Sequence, residues 1–351
     1  MGIIEKSFGR TDDEKEVYLY ELTNKNGSVM KVTNFGAILV SLLVPDKDKN
    51  LKDVVLGYDS VTEYLHNPCY FGSTIGRSGN RIAGGRFEIN GTEYQIPQNE
   101  NGNNLHSGPD GYEKKIWEVK ALDDEKSSIT FYHFSPDMEQ GYPGNFSVTV
   151  TYELTDENEL RIHYEGSCDK DTVANLTNHS YFNLGGHESG YAMGQLLQIH
   201  ARKYNPVIDA ASIPTGEVAD VAGTPMDFTE LKPMKQEIDA DFDQLTYTGG
   251  YDHNYVLDWE PGIVKEAAKA YCRETGIWMT VYTDLPGIQF YAGNGIDNVV
   301  GKEGLIYPRR SAFCLETQYY PNAVNTPAFP SPVLKAGETY STTTVYKFTV
   351  E

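Results

Sequence analysis

The sequence predicts an all-β protein, built as one large antiparallel β-sandwich with few short helices. Runs in which apolar and polar residues alternate recur from one end of the chain to the other, and this period of two is typical of half-buried strands. The 33 glycines and 17 prolines interrupt the runs throughout, while long helical periodicities are nearly absent. No linker or low-complexity tract divides the chain, so we expect a single domain over residues 1–351.

The individual elements follow from local patterns. Asn90-Gly91 predicts a two-residue turn, which makes residues 86–96 a β-hairpin. Short helices are expected at residues 60–65 (SVTEYL) and 228–238 (FTELKPMKQEI). The clearest strands are expected at residues 17–22, 147–154, 160–165, 278–283 and 342–350.

The charge of the chain restricts its partners. The formal net charge is -21, and so acidic a surface repels nucleic acid and anionic membranes. We therefore expect neither as a partner, and a neutral small molecule is the easiest fit. A phosphorylated ligand would need a local basic pocket.

The four cysteines are widely spaced and form no CxxC pair, so the sequence signals neither a zinc knuckle nor a redox motif. The first residues contain no long apolar segment that would act as a signal peptide or a membrane span. Both observations favour reduced thiols and a cytoplasmic location.

A histidine stands at the centre of the segment NLTNHSYFNLGG, residues 175–186. On a strand, alternate side chains point to opposite faces, which would give an apolar face with Leu176 and Phe182 and a polar face around His179. The polar face is either solvated or the wall of a ligand site, and this segment alone leaves both interpretations open. The polar face would carry Asn175, Thr177, His179, Tyr181 and Asn183.

The segment GRSGNRIAGGRF, residues 76–87, combines glycines with Arg77, Arg81 and Arg86. Glycine permits sharp turns and the close approach of a ligand, and arginine offers a rigid fork of hydrogen-bond donors. The loop is either a ligand site or a basic segment that balances the acidic surface.

Two further loops carry candidate chemistry. His106 lies in NGNNLHSG, where asparagine and glycine surround it, so it is either a catalytic group or a residue that stabilises a turn. In GGYDHNYVL, two glycines lead into a strand that begins at Asp252. An aspartate in a turn is the simpler interpretation of that position.

Two expected strands place polar groups opposite apolar ones. In PGIQFYAGN, Gln289 and Tyr291 share a face. In AFCLETQYYPNAVN, Glu316 shares a face with Cys314 and Gln318. A glutamate among small and apolar neighbours is partly desolvated, which raises its pKa toward a value suited to a base. The alternative is an edge-strand glutamate in water.

Taken in order, these motifs resemble those of the aldose 1-epimerases, the galactose mutarotases. The resemblance rests on GRSGNRIAGGRF, NNLHSG, NLTNHSYFNLGG, YDHNY and FCLETQYYPNAVN, and it spans about residues 35 to 350. It implies a large antiparallel β-sandwich of the galactose mutarotase type with an open sugar cleft. It also implies interconversion of the α and β anomers of free aldohexoses, without a cofactor or metal.

The resemblance assigns roles to individual residues. Glu316 matches the family's general base, His179 its general acid and His106 its second site histidine. Sugar-binding positions are matched by Arg81, Asp252, Asn80 and Gln289. The chain departs from the common family pattern at Ser107, where relatives often have glycine, so the shape of that loop is open.

Three other functions remain compatible with the sequence. One is a mutarotase for hexose 6-phosphates, with Arg77, Arg81 and Arg86 as the phosphate pocket. Another is a glycoside hydrolase that uses Glu316 and Asp252 as a carboxylate pair. The third is a sugar-binding module without turnover. In each case the partner is a small-molecule sugar, and the chain is a monomer or a homodimer.

Overall fold

The computed structural model describes residues 2–351, and these residues are mostly β-structure. Helix is confined to α1 (Val61–Tyr64), α2 (Asp243–Thr248) and single 3-10 turns at Ala83–Gly85, Tyr112–Lys114, Glu139–Gly141, His187–Ser189, Lys302–Gly304 and Ala323–Asn325. The strands are β1 (Ile4–Arg10), β2 (Glu16–Thr23), β3 (Val29–Thr33), β4 (Ile38–Pro45), β5 (Leu51–Asp53), β6 (Ser73–Ile75), β7 (Arg81–Ile82), β8 (Arg86–Ile89), β9 (Thr92–Gln95), β10 (Asn104–Leu105), β11 (Glu118–Asp123), β12 (Ser128–Ser135), β13 (Phe146–Leu154), β14 (Glu159–Cys168), β15 (Thr172–Val173), β16 (Thr177–His179), β17 (Leu196–Ile199), β18 (Lys203–Tyr204), β19 (Ala219–Asp220), β20 (Lys232–Pro233), β21 (Asp252–Val256), β22 (Lys265–Cys272), β23 (Ile277–Thr283), β24 (Gly287–Tyr291), β25 (Val299–Val300), β26 (Ile306–Tyr307), β27 (Cys314–Gln318), β28 (Val333–Leu334) and β29 (Thr339–Val350). None of the helices in this described range is long and apolar enough to cross a membrane.

Three larger sheets organise these strands. A nine-stranded sheet has the order β11-β12-β13-β14-β29-β23-β22-β17-β20, and the C-terminal strand β29 lies at its centre. One five-stranded sheet is β1-β2-β3-β4-β5, and the other is β19-β18-β21-β24-β27. Pairings between the named strands of these sheets are antiparallel, as the alternating patterns predict.

The main core lies between the nine-stranded sheet and the strands that face it. Phe290 and Leu315, on β24 and β27, belong to the same buried cluster as Tyr346 and Phe348 on β29. The Tyr346 hydroxyl also donates a hydrogen bond across this core to the carbonyl of Leu315, at 2.8 Å. The large sheet therefore supports the strand β27 from behind and leaves its other face free for a cleft.

Most sequence-based assignments are confirmed. Each of the five expected strands lies within an observed strand, residues 86–96 form the hairpin β8–β9, and α1 lies within residues 60–65. Asn90 and Gly91 both have positive φ, at 54° and 77°, as a two-residue turn of this hairpin requires.

The helix expected at residues 228–238 is wrong. Lys232–Pro233 instead forms β20, which pairs with β17 at the edge of the nine-stranded sheet. Proline has no N–H to donate, so it interrupts a helix but is tolerated at an edge strand. A helix that the sequence patterns missed, α2, begins at Asp243 and ends at Thr248. It is followed by Gly249, whose φ of 67° suits a glycine cap.

The two alternating faces of residues 175–186 are both covered. Only Thr177–His179 is strand, and every residue from 172 to 184 is buried. Asn183 donates to the carbonyls of Ser311 and Gly190. A solvated polar face is therefore excluded for this segment.

Arg77 is a structural residue. Its guanidinium donates to the hydroxyl and carbonyl of Ser135, to the carbonyls of Pro136 and Pro143, and to the hydroxyl of Thr172. The side chain is buried, whereas Arg86 is exposed. The three arginines of residues 76–87 therefore do not converge, and the phosphate pocket that they suggested does not form.

Replacing Arg77 should destabilise the protein strongly. Arg77→Met leaves several buried acceptors without a donor, at about 1–3 kcal/mol each, so we expect a loss of at least ~3 kcal/mol. Arg86→Met, at an exposed site, should change stability by less than about 0.5 kcal/mol. Urea unfolding of the two variants measures the difference. Equal midpoints would show that Arg77 does not hold its neighbours together.

Candidate functional site

Three neighbouring strands place a row of polar side chains on one face. In the register of β21, β24 and β27, Asn254 lies opposite Gln289, and Gln289 lies opposite Glu316. Ile288 and Leu315 point to the core on the other side. This confirms the face assignments that the alternating patterns predict. Asp252 also begins β21, as expected.

His179 reaches this row from a separate strand. It ends β16, whose partner is β6, and a bridge between Phe182 and Phe313 ties its segment to the start of β27. The His179 Nε2 atom lies 3.6 Å from Oε1 of Glu316. Its Nδ1 lies 3.7 Å from the Cys314 sulfur. Both side chains of the His179–Glu316 pair are almost fully buried, at 6% and 3% exposed.

Two hydrogen bonds fix His106 to Asn80, one between backbone groups and one to the imidazole ring. The backbone N–H of His106 donates to the Asn80 carbonyl at 3.0 Å, and the backbone N–H of Asn80 donates to the ring Nδ1 of His106 at 3.1 Å. Both residues have positive φ, at 53° and 57°, a strained backbone that is common at functional sites. The Ser107 hydroxyl accepts from the Ser78 N–H and donates to its carbonyl. The serine at position 107, where relatives often have glycine, thus adds two hydrogen bonds between the two loops.

Arg81 and Asp252 line the same cleft as the two histidines. Arg81 forms a bidentate pair with Glu100, and its Nη1 lies 3.8 Å from Oδ2 of Asp252. Gln289 donates to Oδ1 of Asp252 at 2.7 Å. Asn80, through its Nδ2, makes a long contact of 3.5 Å to Gln318. The structure therefore brings together the site residues that the family resemblance suggested, namely Asn80, Arg81, His106, His179, Asp252, Gln289 and Glu316.

All of these residues except Gln289 line one cleft of about 210 Å³. Sequence patterns had not singled out Tyr70, whose ring centroid lies 4.8 Å from that of His106 and 5.9 Å from that of His179. Glu100 was also missed, although it stands six residues before His106 in the same asparagine-rich loop. The lining comprises Pro68, Cys69, Tyr70, Asn80, Arg81, Glu100, Leu105, His106, His179, Tyr181, Asp252, Tyr291, Gly295 and Glu316.

Burial governs the protonation of the central pair. Desolvation raises the pKa of Glu316 well above its usual value, with a further rise from Asp252 and an opposing effect of Arg81. The Oε2 atom of Glu316 has no hydrogen-bond partner. Desolvation lowers the pKa of His179 to about 4. Burial therefore favours a carboxylic acid beside a neutral imidazole over the ionised pair.

His106 is held neutral and in one tautomer. Desolvation, the neighbouring His179 and Arg81 lower its pKa well below the usual value. Because Nδ1 accepts from the Asn80 N–H, the proton of the neutral ring must lie on Nε2. His106 is thus a permanent hydrogen-bond donor through Nε2.

The same argument bears on metal binding. His106, His179 and Glu316 each have a possible ligand atom within 4.8 Å of the others, a donor set that suits zinc. A ligating histidine normally donates from its other nitrogen, which leaves a lone pair for the metal. His106 has the reverse arrangement, since its Nδ1 accepts and its Nε2 has no lone pair to offer. The donor set therefore does not fit a metal ion.

Comparison with known proteins identifies the relatives of this fold. Residues 18–347 match the family model described as aldose 1-epimerase. Galactose mutarotase from Rattus norvegicus is 41% identical over 320 residues, which cover 91% of this chain and 90% of the relative. Aldose 1-epimerase from Escherichia coli K12 is 35% identical over 341 residues, with 97% of each chain covered. The crystal structure of galactose 1-epimerase from Lactobacillus acidophilus superposes with a TM-score of 0.86, at 29% identity, over 99% of this chain and 98% of that one.

The predominantly antiparallel sheets and the buried cleft define a β-sandwich of the galactose mutarotase type. The chain belongs to the aldose 1-epimerase family and is accordingly an isomerase. The fold class and the family resemblance that the sequence predicted are both confirmed.

The tautomer of His106 can be observed directly. In long-range ¹H–¹⁵N correlation spectra, we expect the His106 ring to be neutral and protonated on Nε2 at the pH where an unperturbed histidine titrates, about 6.5. The spectrum of His106→Asn assigns the resonance by its absence. Protonation on Nδ1, or titration of this ring near neutral pH, would contradict the structure.

Proposed function

We propose that the protein interconverts the α and β anomers of free aldohexoses such as glucose and galactose. The observation that carries the proposal is the buried pair of His179 and Glu316, 3.6 Å apart, with one carboxylate oxygen unpartnered. A group that loses a proton and a group that gains one, both facing a polar cleft, are what the opening of a cyclic hemiacetal needs.

The reaction requires two proton transfers. Glu316 takes the proton from the C1 hydroxyl as the bond between C1 and the ring oxygen breaks, and the electron pair of that bond stays on the ring oxygen. His179 gives its proton to that oxygen, which leaves a neutral open-chain aldehyde. The C1 carbonyl then turns about the C1–C2 bond, and the reverse transfers close the ring with the other configuration.

The electrostatics of the cleft suit this cycle. The pair shares one transferable proton, so a carboxylic acid with a neutral imidazole has the same proton count as a carboxylate with an imidazolium. Burial favours the neutral form, which is also the form present when the sugar is open. Sugar hydroxyls that donate to the orphan Oε2 favour the ionised carboxylate. The free-energy difference between the two forms is thereby reduced.

The remaining polar groups suit binding of the sugar. We assign to His106 a hydrogen bond from Nε2 to a sugar oxygen, and to Arg81 and Asp252 contacts with the hydroxyls. Asn80 and Gln289 are assigned supporting contacts, since each is bonded to its neighbours in the same network. The ring of Tyr70 packs beside the histidines and offers an apolar surface to the sugar.

The relatives support the choice of substrate. Those named galactose mutarotase and aldose 1-epimerase match more than nine-tenths of this chain. We propose further that the chain works as a single mutarotase domain on a small-molecule sugar. Polarimetry of freshly dissolved α-glucose and α-galactose tests the activity itself, while cleavage of aryl glycosides or binding without turnover would favour the rival functions.

Glu316→Gln should reduce turnover about 10²- to 10⁴-fold, as expected for one general acid-base group, with much less effect on sugar binding. The amide keeps the size of the side chain but cannot take a proton. Initial rates of mutarotation, measured in the presence of a chelator, give kcat and KM. His179→Asn should lose a comparable factor, and the double variant should lose far less than the product.

Glu165→Gln is the matched control, because Glu165 is exposed on β14 and should behave as the unmodified protein. The wild-type pH profile should have an acid limb near the lowered pKa of His179, about 4, and an alkaline limb set by Glu316. A Glu316→Gln protein that is folded and turns over at the wild-type rate would show that Glu316 is not the base.

An unphosphorylated sugar should be preferred to its 6-phosphate. Among the described residues that line the cleft, the lysines and arginines are represented by Arg81 alone, whereas Glu100, Asp252 and Glu316 each contribute a carboxyl group. A phosphate dianion therefore meets like charges, and we expect a specificity constant lower by roughly 10²-fold for glucose 6-phosphate than for glucose. The difference between the two specificity constants should decrease at high salt, because salt screens the repulsion. A higher value for the phosphate would refute this substrate class.

A further inference from the structure

The guanidinium of Arg81 is clamped along one edge. Its Nε donates to Oε2 of Glu100 at 3.0 Å and its Nη2 donates to Oε1 at 2.9 Å. Two parallel charge-assisted bonds of this kind set both position and orientation. The remaining nitrogen, Nη1, is left toward Asp252 and the cleft.

Asp252 cannot hold Arg81 in the same way. Its Oδ2 lies 3.8 Å from Nη1, beyond hydrogen-bond distance, and its Oδ1 accepts from Gln289. Without the pair to Glu100, the flexible Arg81 side chain would be free to turn onto this carboxylate. Such a direct pair would remove both groups from contact with a sugar.

Glu100 is itself held in place by its turn. Its N–H donates to the Asn103 carbonyl and its carbonyl accepts from the Asn103 N–H, at 3.1 and 2.8 Å. The Asn103 side chain also accepts from the Gly84 N–H, at 2.9 Å. Because Gly84 follows Arg81 closely along the chain, the turn and the arginine are fixed to each other at both ends.

We propose that Glu100 is a positioning residue for sugar binding, which holds Arg81 so that its Nη1 donates into the cleft. The inference rests on the proposed function, since it assumes that a sugar occupies this cleft. In this proposal Glu100 acts through Arg81, which binds the sugar, and does not contact the reacting atoms.

The clamp also has an electrostatic effect on the acid-base pair. Arg81 lowers the pKa of Glu316, against the larger effects of burial and Asp252. Glu100 neutralises much of that positive charge through its direct contact with Arg81. Removing the Glu100 charge should therefore lower the pKa of Glu316, because its ionised form then faces a less compensated cation.

Mutarotation kinetics of Glu100→Gln and Glu100→Asp test the proposal. The amide keeps the size of the side chain but loses the charge and one acceptor, so we expect KM to rise about 10- to 10²-fold, as a displaced binding group would cause, with kcat changed much less. Aspartate keeps the charge but is shorter by a methylene and cannot hold both bonds, so its KM should lie in between. The limb of the pH profile that Glu316 sets should move to lower pH in Glu100→Gln.

Additional variants make the outcome decisive. Glu93→Gln, at an exposed site on β9, should behave as the wild type. In an Arg81→Gln background, Glu100→Gln should add little to KM, and independent, multiplicative effects would overturn the proposal. A KM equal to that of the wild type in Glu100→Gln would also overturn the proposal. If only Glu100→Asp folds, a wild-type KM in that variant would do the same. A wild-type protein without mutarotase activity would instead overturn the proposed function.

Discussion

The site depends on the burial of one carboxyl group, that of Glu316, beside an uncharged imidazole. A carboxylate taken out of water without a cation in contact is strongly destabilised, so burial favours its protonated form until a new donor arrives. The surrounding structure maintains this condition. The nine-stranded sheet supports β27 from behind, the bridge at Phe313 brings the His179 segment against it, and Arg81 is kept at a distance by its own carboxylate partner.

Rigidity around His106 comes from the backbone. Asn80 and His106 both adopt left-handed conformations, which cost energy for residues other than glycine. Each hydrogen-bonds the other through main chain and ring, so the strain is offset locally. The result is a histidine that presents a proton without having to reorient or change its charge. Donors fixed in this way need no rearrangement as charge develops on a substrate.

Charge is distributed in different ways at long and short range. The chain as a whole is strongly acidic, with a net charge of -21, and the lining of the cleft is acidic as well. Arg81, its cation, is paired with Glu100 at hydrogen-bond distance. Arg77, close by in sequence, is buried among carbonyl and hydroxyl groups. The two arginines thus serve different purposes, one in the cleft and one in the core.

Alternation, turn chemistry and motif order are local properties of a chain. The strands, the hairpin at Asn90-Gly91 and the resemblance to the aldose 1-epimerase family could therefore be predicted from the sequence. The helix that it predicted at residues 228–238 does not form, because pairing of Lys232–Pro233 with β17 prevails over local periodicity. The sequence also missed Glu100 and Tyr70, which no pattern distinguishes from surface residues. Three properties follow from the tertiary structure: the burial of Arg77 away from the cleft, the nitrogen of His106 that carries the proton, and the desolvation of Glu316. Those properties arise from groups distant in the chain that exclude water from one another, and burial of that kind has no sequence period.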